Sequence, residues 1–204
     1  MPSKFRVRHI FQPLVRLIAT GLSKIKVSAN MATGVMLVFA LLSFGSLAIF
    51  SNLLLFSIFI FCTGIFDGVD GAIARLSNNA TKKGGFLDST MDRVSEFVIF
   101  FALLIHFWND LMLGIDMKFI VFISFLASIM ISYSRARIEN FVKDDFDVGL
   151  MARSERLFYL VITSLISFFF GYFHVYVFIF MWLVIFTALF RFFKFKTTLK
   201  EESN

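Results

Sequence analysis

The chain has 204 residues, 58% of them apolar and 18% aromatic, with 31 Phe, only 17% charged and a formal net charge of +6. Its mean hydropathy is +0.82. This excludes a disordered chain and an ordinary water-soluble globule, whose charged share is roughly a quarter and whose surface could not hide so many Phe, Ile and Leu.

A single Cys, Cys62, also excludes an internal disulfide and a multi-cysteine metal site. The basic excess could point to nucleic acid. In so apolar a chain, however, its placement along a membrane topology matters more, and no nucleic-acid partner is expected.

In chain order, residues 1–26 come first. Ile10, Leu14, Leu17, Ile18 and Ile25 recur at helical spacing with Arg6, Gln12, Arg16 and Ser23 between them. This pattern predicts a basic amphipathic helix lying among membrane lipids at the interface, started or kinked by Pro13. It lacks the apolar core and small-residue cleavage site of a signal peptide.

Residues 27 to 66 are 40 consecutive uncharged positions. About 20 apolar residues cross a bilayer, so the run predicts two spans with Ser51-Asn52 as the turn. Residues 97 to 109 are only 13, so a third span must begin near Gly85 and carry Asp88, Asp92, Arg93 and Glu96 in its first turns. Residues 119 to 134 supply a fourth. The 34 uncharged residues from 157 to 190, broken around Gly171-Tyr172 and His174, supply a fifth and sixth.

The expected fold is an all-α integral membrane protein: six transmembrane helices preceded by an interfacial amphipathic N-terminal helix. The chain 1–204 reads as one domain, with the six-helix bundle over 27–196 and a frayed tail over 197–204. Nineteen of the 20 Lys and Arg fall on one side of this topology, and only Lys118 on the other. Because cytoplasmic loops accumulate Lys and Arg, the N- and C-termini and both charged loops are expected in the cytoplasm.

The chemistry concentrates at that side. Asp67 and Asp70 are i,i+3 at the end of the second span, and Asp88 and Asp92 are i,i+4 at the start of the third. Each pair therefore shares a helical face, and two helices joined by a short loop can bring the pairs together. Four carboxylates that close repel unless cations neutralise them, and hard divalent ions suit an all-oxygen site. The plainer alternative pairs these acids with Arg75, Arg93, Lys82 and Lys83 as a solvated loop. Gly68, Gly71, Ala72, Ala74 and Gly84-Gly85 suggest close backbone approach, and Arg75 suits a phosphate. Together they describe a two-metal site, for Mg2+ or Mn2+, holding a pyrophosphate at the cytoplasmic membrane surface.

The segment Asp67-Gly-Val-Asp70-Gly71-Ala-Ile-Ala74-Arg75, then eight residues, Gly84, three residues, Asp88, three residues and Asp92 resembles one signature without departure. It is that of the CDP-alcohol phosphatidyltransferase family, D-x2-D-G-x2-A-R-x8-G-x3-D-x3-D. The resemblance covers nearly the whole chain. It implies transfer of a phosphatidyl-type group from a CDP-linked lipid to an alcohol, with release of CMP. By the same resemblance Asp67, Asp70, Asp88 and Asp92 ligate two metal ions and Asp92 also acts as the base. Gly71, Ala74, Arg75 and Gly84 serve the CDP moiety, with Thr81 at a position where a hydroxyl often does so. Upstream, Ser28-Ala-Asn30-Met-Ala-Thr33-Gly34 is similar to the family's opening of the first span, with Ser-Ala in place of Thr-Pro and the Gly shifted. Only Asn30 and Thr33 carry over as nucleotide or lipid-head contacts, while Ser28 or Asn30 could equally cap the helix.

Ser132-Tyr-Ser-Arg135-Ala-Arg137-Ile-Glu139 and Arg153-Ser-Glu155-Arg156 resemble the branch that makes phosphatidylinositol phosphate or archaetidylinositol phosphate. Ala152 stands where that branch has a Glu. Ser132, Arg135, Arg153, Arg156 and Arg191 would then hold the acceptor's phosphate, since Arg binds phosphate through a planar fork. The alternative is that these arginines only anchor helix ends, or pair as Arg137–Glu139 and Glu155–Arg156. Expected partners are CDP-diacylglycerol or CDP-archaeol, an alcohol that is best read as inositol 1-phosphate, and a second copy of the chain in a homodimer. Glycerol 3-phosphate, serine or free inositol remain alternative acceptors. An intramembrane prenyltransferase and a transporter or channel remain alternative classes.

Overall fold

The computed structural model describes residues 6–77, 81–142 and 148–202. Two short helices come first, α1 (Val7–Ile10) and α2 (Gln12–Lys24). Pro13 sits in the first turn of α2, where its missing N–H has no intrahelical partner to lose, so it starts the helix and does not kink it. α3 (Ala29–Phe44) is capped by Ser28, whose hydroxyl accepts from the Met31 N–H at 3.2 Å, and runs into a π-helical turn over Gly45–Ile49. Ser51, at φ 49°, reverses the chain, and Asn52 caps α4 (Leu53–Leu76) by accepting from the Leu55 N–H at 3.0 Å. The apolar run is therefore broken at the polar step.

α5 (Lys82–His106) begins three residues ahead of Gly85, because the Thr81 hydroxyl caps it by accepting from the Gly84 N–H at 3.0 Å. A small hairpin follows: β1 (Leu111–Met112) pairs antiparallel with β2 (Ile115–Asp116) across Leu113 and Gly114, both at positive φ. Among the described residues this hairpin departs from the all-helical expectation; two residues a side are too few for alternation to be read. Then come α6 (Met117–Ile138), α7 (Arg153–Phe170) and α8 (Phe173–Glu202). Gly171 and Tyr172, at φ 78° and 66°, form the turn between the last two. α8 stays helical past residue 196, where a frayed tail was expected. Lys4 and Lys143 of the basic set, and the final residues 203–204, lie outside the described residues.

Among the described residues, four helices are long and apolar enough to cross a membrane: Ala29–Ile49, Leu53–Leu76, Met117–Ile138 and Phe173–Lys200. α5 and α7 are set apart by charge. The segment of α5 from Lys82 to Glu96 carries Lys82, Lys83, Asp88, Asp92, Arg93 and Glu96, and the first turn of α7 carries Arg153, Glu155 and Arg156.

α3 packs along both α4 and α5, so those two helices, although joined by a short loop, touch each other little. α4 packs further on α7 and α2, and α6 on α8. The main core joins Phe56 and Ile60 of α4, Phe100 and Leu103 of α5, Ile120 of α6, Leu160 of α7, and Phe180 and Val184 of α8. A second cluster seats Ala19 of α2 among Ile65, Val69, Ala72 and Ile73 of α4. On the other side of this N-terminal region Ile10, Leu17 and Ile25 stay about seven-tenths exposed. Burying such side chains is worth about 1.5–3 kcal/mol each, so this face favours an apolar medium.

Candidate active site

α4 ends and α5 begins at the same end of the bundle, and the aspartates meet there. Asp67, Asp88 and Asp92 each offer a carboxylate oxygen within 4.8 Å of the others. Asp70 is set deeper, 3% exposed: Oδ2 accepts from the Thr33 hydroxyl at 2.8 Å and Oδ1 from the Gly71 N–H at 2.6 Å. Thr33 thus orients an aspartate as well as lining the adjacent cavity. The two helices need not touch for this, because α3 lies against both and supplies Thr33 from between them.

Two glycines make room at this end. A Cβ on Gly84 would lie 3.1 Å from the Thr81 hydroxyl that caps α5, and 4.0 Å from Asn30 Oδ1. A Cβ on Gly71 would lie 3.3 Å from Arg75 Nη1, whose guanidinium folds back over that position.

Three cavities open onto the cluster. The largest, about 710 Å³, is lined by Asn30, Thr33, Gly71, Ala74, Arg75, Thr81 and Gly84 together with Asp70 and Asp88. Every residue expected to serve a CDP-lipid therefore borders one space. A second, about 360 Å³, is lined by Asp67 and Arg75, by Arg8, His9 and Gln12 of the N-terminal helices, and by apolar side chains such as Val15, Phe61, Leu157 and Phe158. The third, about 230 Å³, is lined by Asp92 and by Ser132, Arg135, Arg153, Arg156 and Arg191, the whole set expected to hold an acceptor's phosphate.

The arginines are not equivalent. Arg153 reaches from α7 into the acidic cluster: Nη1 contacts both Asp67 Oδ1 and Asp92 Oδ1, and Nη2 donates to Ser95 Oγ at 2.9 Å. Arg93 Nη1 lies 3.6 Å from Asp92 Oδ2. Arg156 is 1% exposed and pairs with Glu96. Arg191, equally buried, donates to the carbonyls of Val148 at 2.7 Å and Ile131 at 2.9 Å. Arg135 pairs with Glu139 at 2.8 Å, while Arg137 stacks over the Phe141 ring at 4.8 Å and does not take Glu139 as a partner. Glu155 pairs with Arg6 at 3.5 Å and not with its neighbour Arg156. Ser95 and Glu96, which hold Arg153 and Arg156, were not singled out from the sequence. The available signal was that Asp88, Asp92 and Glu96 fall four residues apart along one face of α5.

All-oxygen donors this close fit a hard divalent cation, and Asp88 Oδ1 is buried without a hydrogen-bond partner among the described residues. Like charges at this separation repel strongly in a partly desolvated site. Arg153 supplies some compensation, and a bound cation would supply more.

Residues 26–191 match the family model described as CDP-alcohol phosphatidyltransferase. The archaetidylinositol phosphate synthase of Pyrococcus horikoshii is 32% identical over 167 residues, covering 82% of this chain and 84% of that one. In fold, the chain is similar to the Mycobacterium tuberculosis phosphatidylinositol phosphate synthase solved with CDP-DAG bound. The TM-score is 0.76 at 24% identity, covering 90% of this chain and 94% of that one. The same synthase in complex with manganese and citrate gives a TM-score of 0.77, also at 24% identity, covering 90% and 89%.

Proposed function

The chain belongs to the CDP-alcohol phosphatidyltransferase family, and from that premise we propose that it transfers the lipid phosphate of CDP-diacylglycerol or CDP-archaeol to inositol 1-phosphate, releasing CMP. The observation that carries this reading is the meeting of three differently lined cavities at one aspartate cluster. The large polar cavity suits the nucleotide and pyrophosphate, with Asn30, Thr33, Gly71, Ala74, Arg75, Thr81 and Gly84 around them. The mostly apolar cavity shares Arg75 with it and suits the start of the lipid chains. The small arginine-lined cavity suits a compact, anionic alcohol, and the relatives' own names support inositol phosphate as its class.

Asp67, Asp70, Asp88 and Asp92 are the residues that would hold two Mg2+ or Mn2+ ions. When bound, such ions neutralise the pyrophosphate and stabilise charge on the departing phosphate. Asp92 lines the small arginine-lined cavity, which supports its role as the group that takes the proton of the attacking hydroxyl. That oxygen forms a bond to the lipid-side phosphorus while the bond from this phosphorus to the oxygen of CMP breaks, and CMP leaves with the electron pair. Ser132, Arg135, Arg153, Arg156 and Arg191 hold the acceptor's phosphate away from the reacting hydroxyl. Positioning within hydrogen-bond reach then supplies much of the rate.

The same reading makes α3 to α8 six crossings of one membrane domain spanning 1–204, with the site, both termini and nearly all basic residues cytoplasmic. The charges of α5 lie between Lys82 and Glu96 and those of α7 in its first turn, toward the ends that carry the site, which supports this arrangement. α1 and α2 lie at the interface, α2 with one face on α4 and α1 against α7, and their other side on lipid. Phe-rich outward faces such as Phe119, Phe122, Phe186 and Phe190 offer surface for a homodimer among membrane lipids. The test is product analysis by mass spectrometry of purified protein given CDP-lipid and inositol 1-phosphate, glycerol 3-phosphate, serine or inositol in turn. A phosphorylated inositol lipid and CMP are expected from the first acceptor; preference for another acceptor would replace this assignment.

A further inference from the structure

Glu96 has no part in the chemistry above. It is 1% exposed, one helical turn beyond Asp92 on α5, and lines none of the three cavities. Its Oε1 accepts from Arg156 Nε at 2.7 Å and lies 2.7 Å from Arg156 Nη2. Arg156 also donates from Nη1 to the Met151 carbonyl and from Nη2 to Ser132 Oγ, both at 3.0 Å. The residue before Glu96, Ser95, is fully buried and accepts from Arg153 Nη2. One step of α5 therefore holds both arginines of the first turn of α7. The helices make little direct contact, so these side chains set how the start of α7 faces α5.

We propose that Glu96 is a positioning residue for the acceptor. By gripping the Nε–Nη2 edge of Arg156 it fixes that guanidinium against Ser132, and with it the wall of the 230 Å³ cavity that faces Asp92. A guanidinium has five N–H groups in a rigid fork, so holding one edge aims the remainder. A carboxylate is needed because a buried arginine that loses its acidic partner is strongly destabilised and turns toward other acceptors. The inference rests on the reading that a phosphorylated alcohol enters this cavity. It adds a residue that acts on that alcohol only through another side chain.

The experiment compares Glu96→Gln and Glu96→Asp with the unaltered protein in nanodiscs, measuring kcat and the KM of each substrate, with thermal unfolding in parallel. Gln keeps the volume and loses the charge; Asp keeps the charge and withdraws it by one methylene. Glu96→Gln is expected to raise the KM for inositol 1-phosphate about 10- to 100-fold. The KM for CDP-lipid should stay unchanged, because neither Glu96 nor Arg156 lines the nucleotide cavity or the apolar one, although other α7 residues wall the latter. Glu96→Asp should fall between. If Glu96→Gln does not fold, Glu96→Asp alone decides by the same split. A parallel rise of both KM values, or an unchanged acceptor KM in a folded variant, overturns the proposal. If the unaltered protein prefers an unphosphorylated alcohol, the acceptor reading fails separately. The same comparison made with that alcohol then still decides whether Glu96 positions it.

Discussion

Thr33→Val removes one hydroxyl from the site while keeping its shape. The Thr33 hydroxyl donates to Asp70 Oδ2 at 2.8 Å, and both residues are 3% exposed. A hydrogen bond to a charged group is worth about 1.5–3 kcal/mol, or roughly 10- to 150-fold in an equilibrium. Two features favour the lower end. Asp70 keeps the Gly71 N–H at 2.6 Å on its other oxygen, and the 710 Å³ cavity that both residues border can admit water to Oδ2. About a tenfold loss is therefore expected. It should appear as a higher Mg2+ or Mn2+ concentration for half-maximal CMP release, because Thr33 acts on a carboxylate assigned to the metal. Thr33→Ser should restore the unaltered value. If metal activation is unchanged and only the KM for CDP-lipid rises, Thr33 is a nucleotide contact and the coupling to Asp70 is refuted.

Asp67→Asn or Asp88→Asn should abolish transfer without loss of the folded state, and EDTA should do so reversibly on adding Mg2+ or Mn2+; turnover in metal-free buffer would remove the metal from the reaction. Asp92→Asn should collapse kcat. Arg135→Ala should chiefly raise the acceptor KM, by about tenfold because this side chain is one-third exposed and already paired with Glu139; an unchanged acceptor KM would take Arg135 out of the phosphate site. In a Cys62→Ser background, Asn52→Cys, Asp116→Cys and Tyr172→Cys should react with an impermeant thiol reagent on intact cells, and Lys82→Cys should not. External labelling at position 82 would invert the topology.

The helices were legible where chemistry interrupts an apolar run. Ser51-Asn52 and Gly171-Tyr172 stand out because polar or small residues break long uncharged stretches, and the chain turns at both. The aspartate spacing was equally legible: four carboxylates at i,i+3 and i,i+4 put each pair on one helical face, and three of them meet within 4.8 Å. Sequence spacing says little about which charges pair across the bundle. Arg153 with Asp67, Arg156 with Glu96 and Arg6 with Glu155 join residues 86, 60 and 149 positions apart. Such choices depend on helix rotation and tilt, set by side-chain packing over the whole core. The wedging of α3 between α4 and α5 was hidden for the same reason, since a short connecting loop implies adjacency and does not measure it. The i,i+4 pairing of Arg135 with Glu139 could have been foreseen, because residues two apart on a helix do not face each other.

The π-helical turn at Gly45–Ile49 bears on how the chain can change length. A π turn is one residue more than the α-helix it interrupts. Deleting a single residue there would restore the regular ladder, with α3 upstream and the Ser51-Asn52 reversal downstream kept in register. The same deletion one or two turns earlier, near Val38, would rotate the two parts of α3 by about 100° relative to each other and carry Thr33 away from Asp70. Length variation in this helix is thus tolerable at the end far from the aspartates and disruptive between that end and the site.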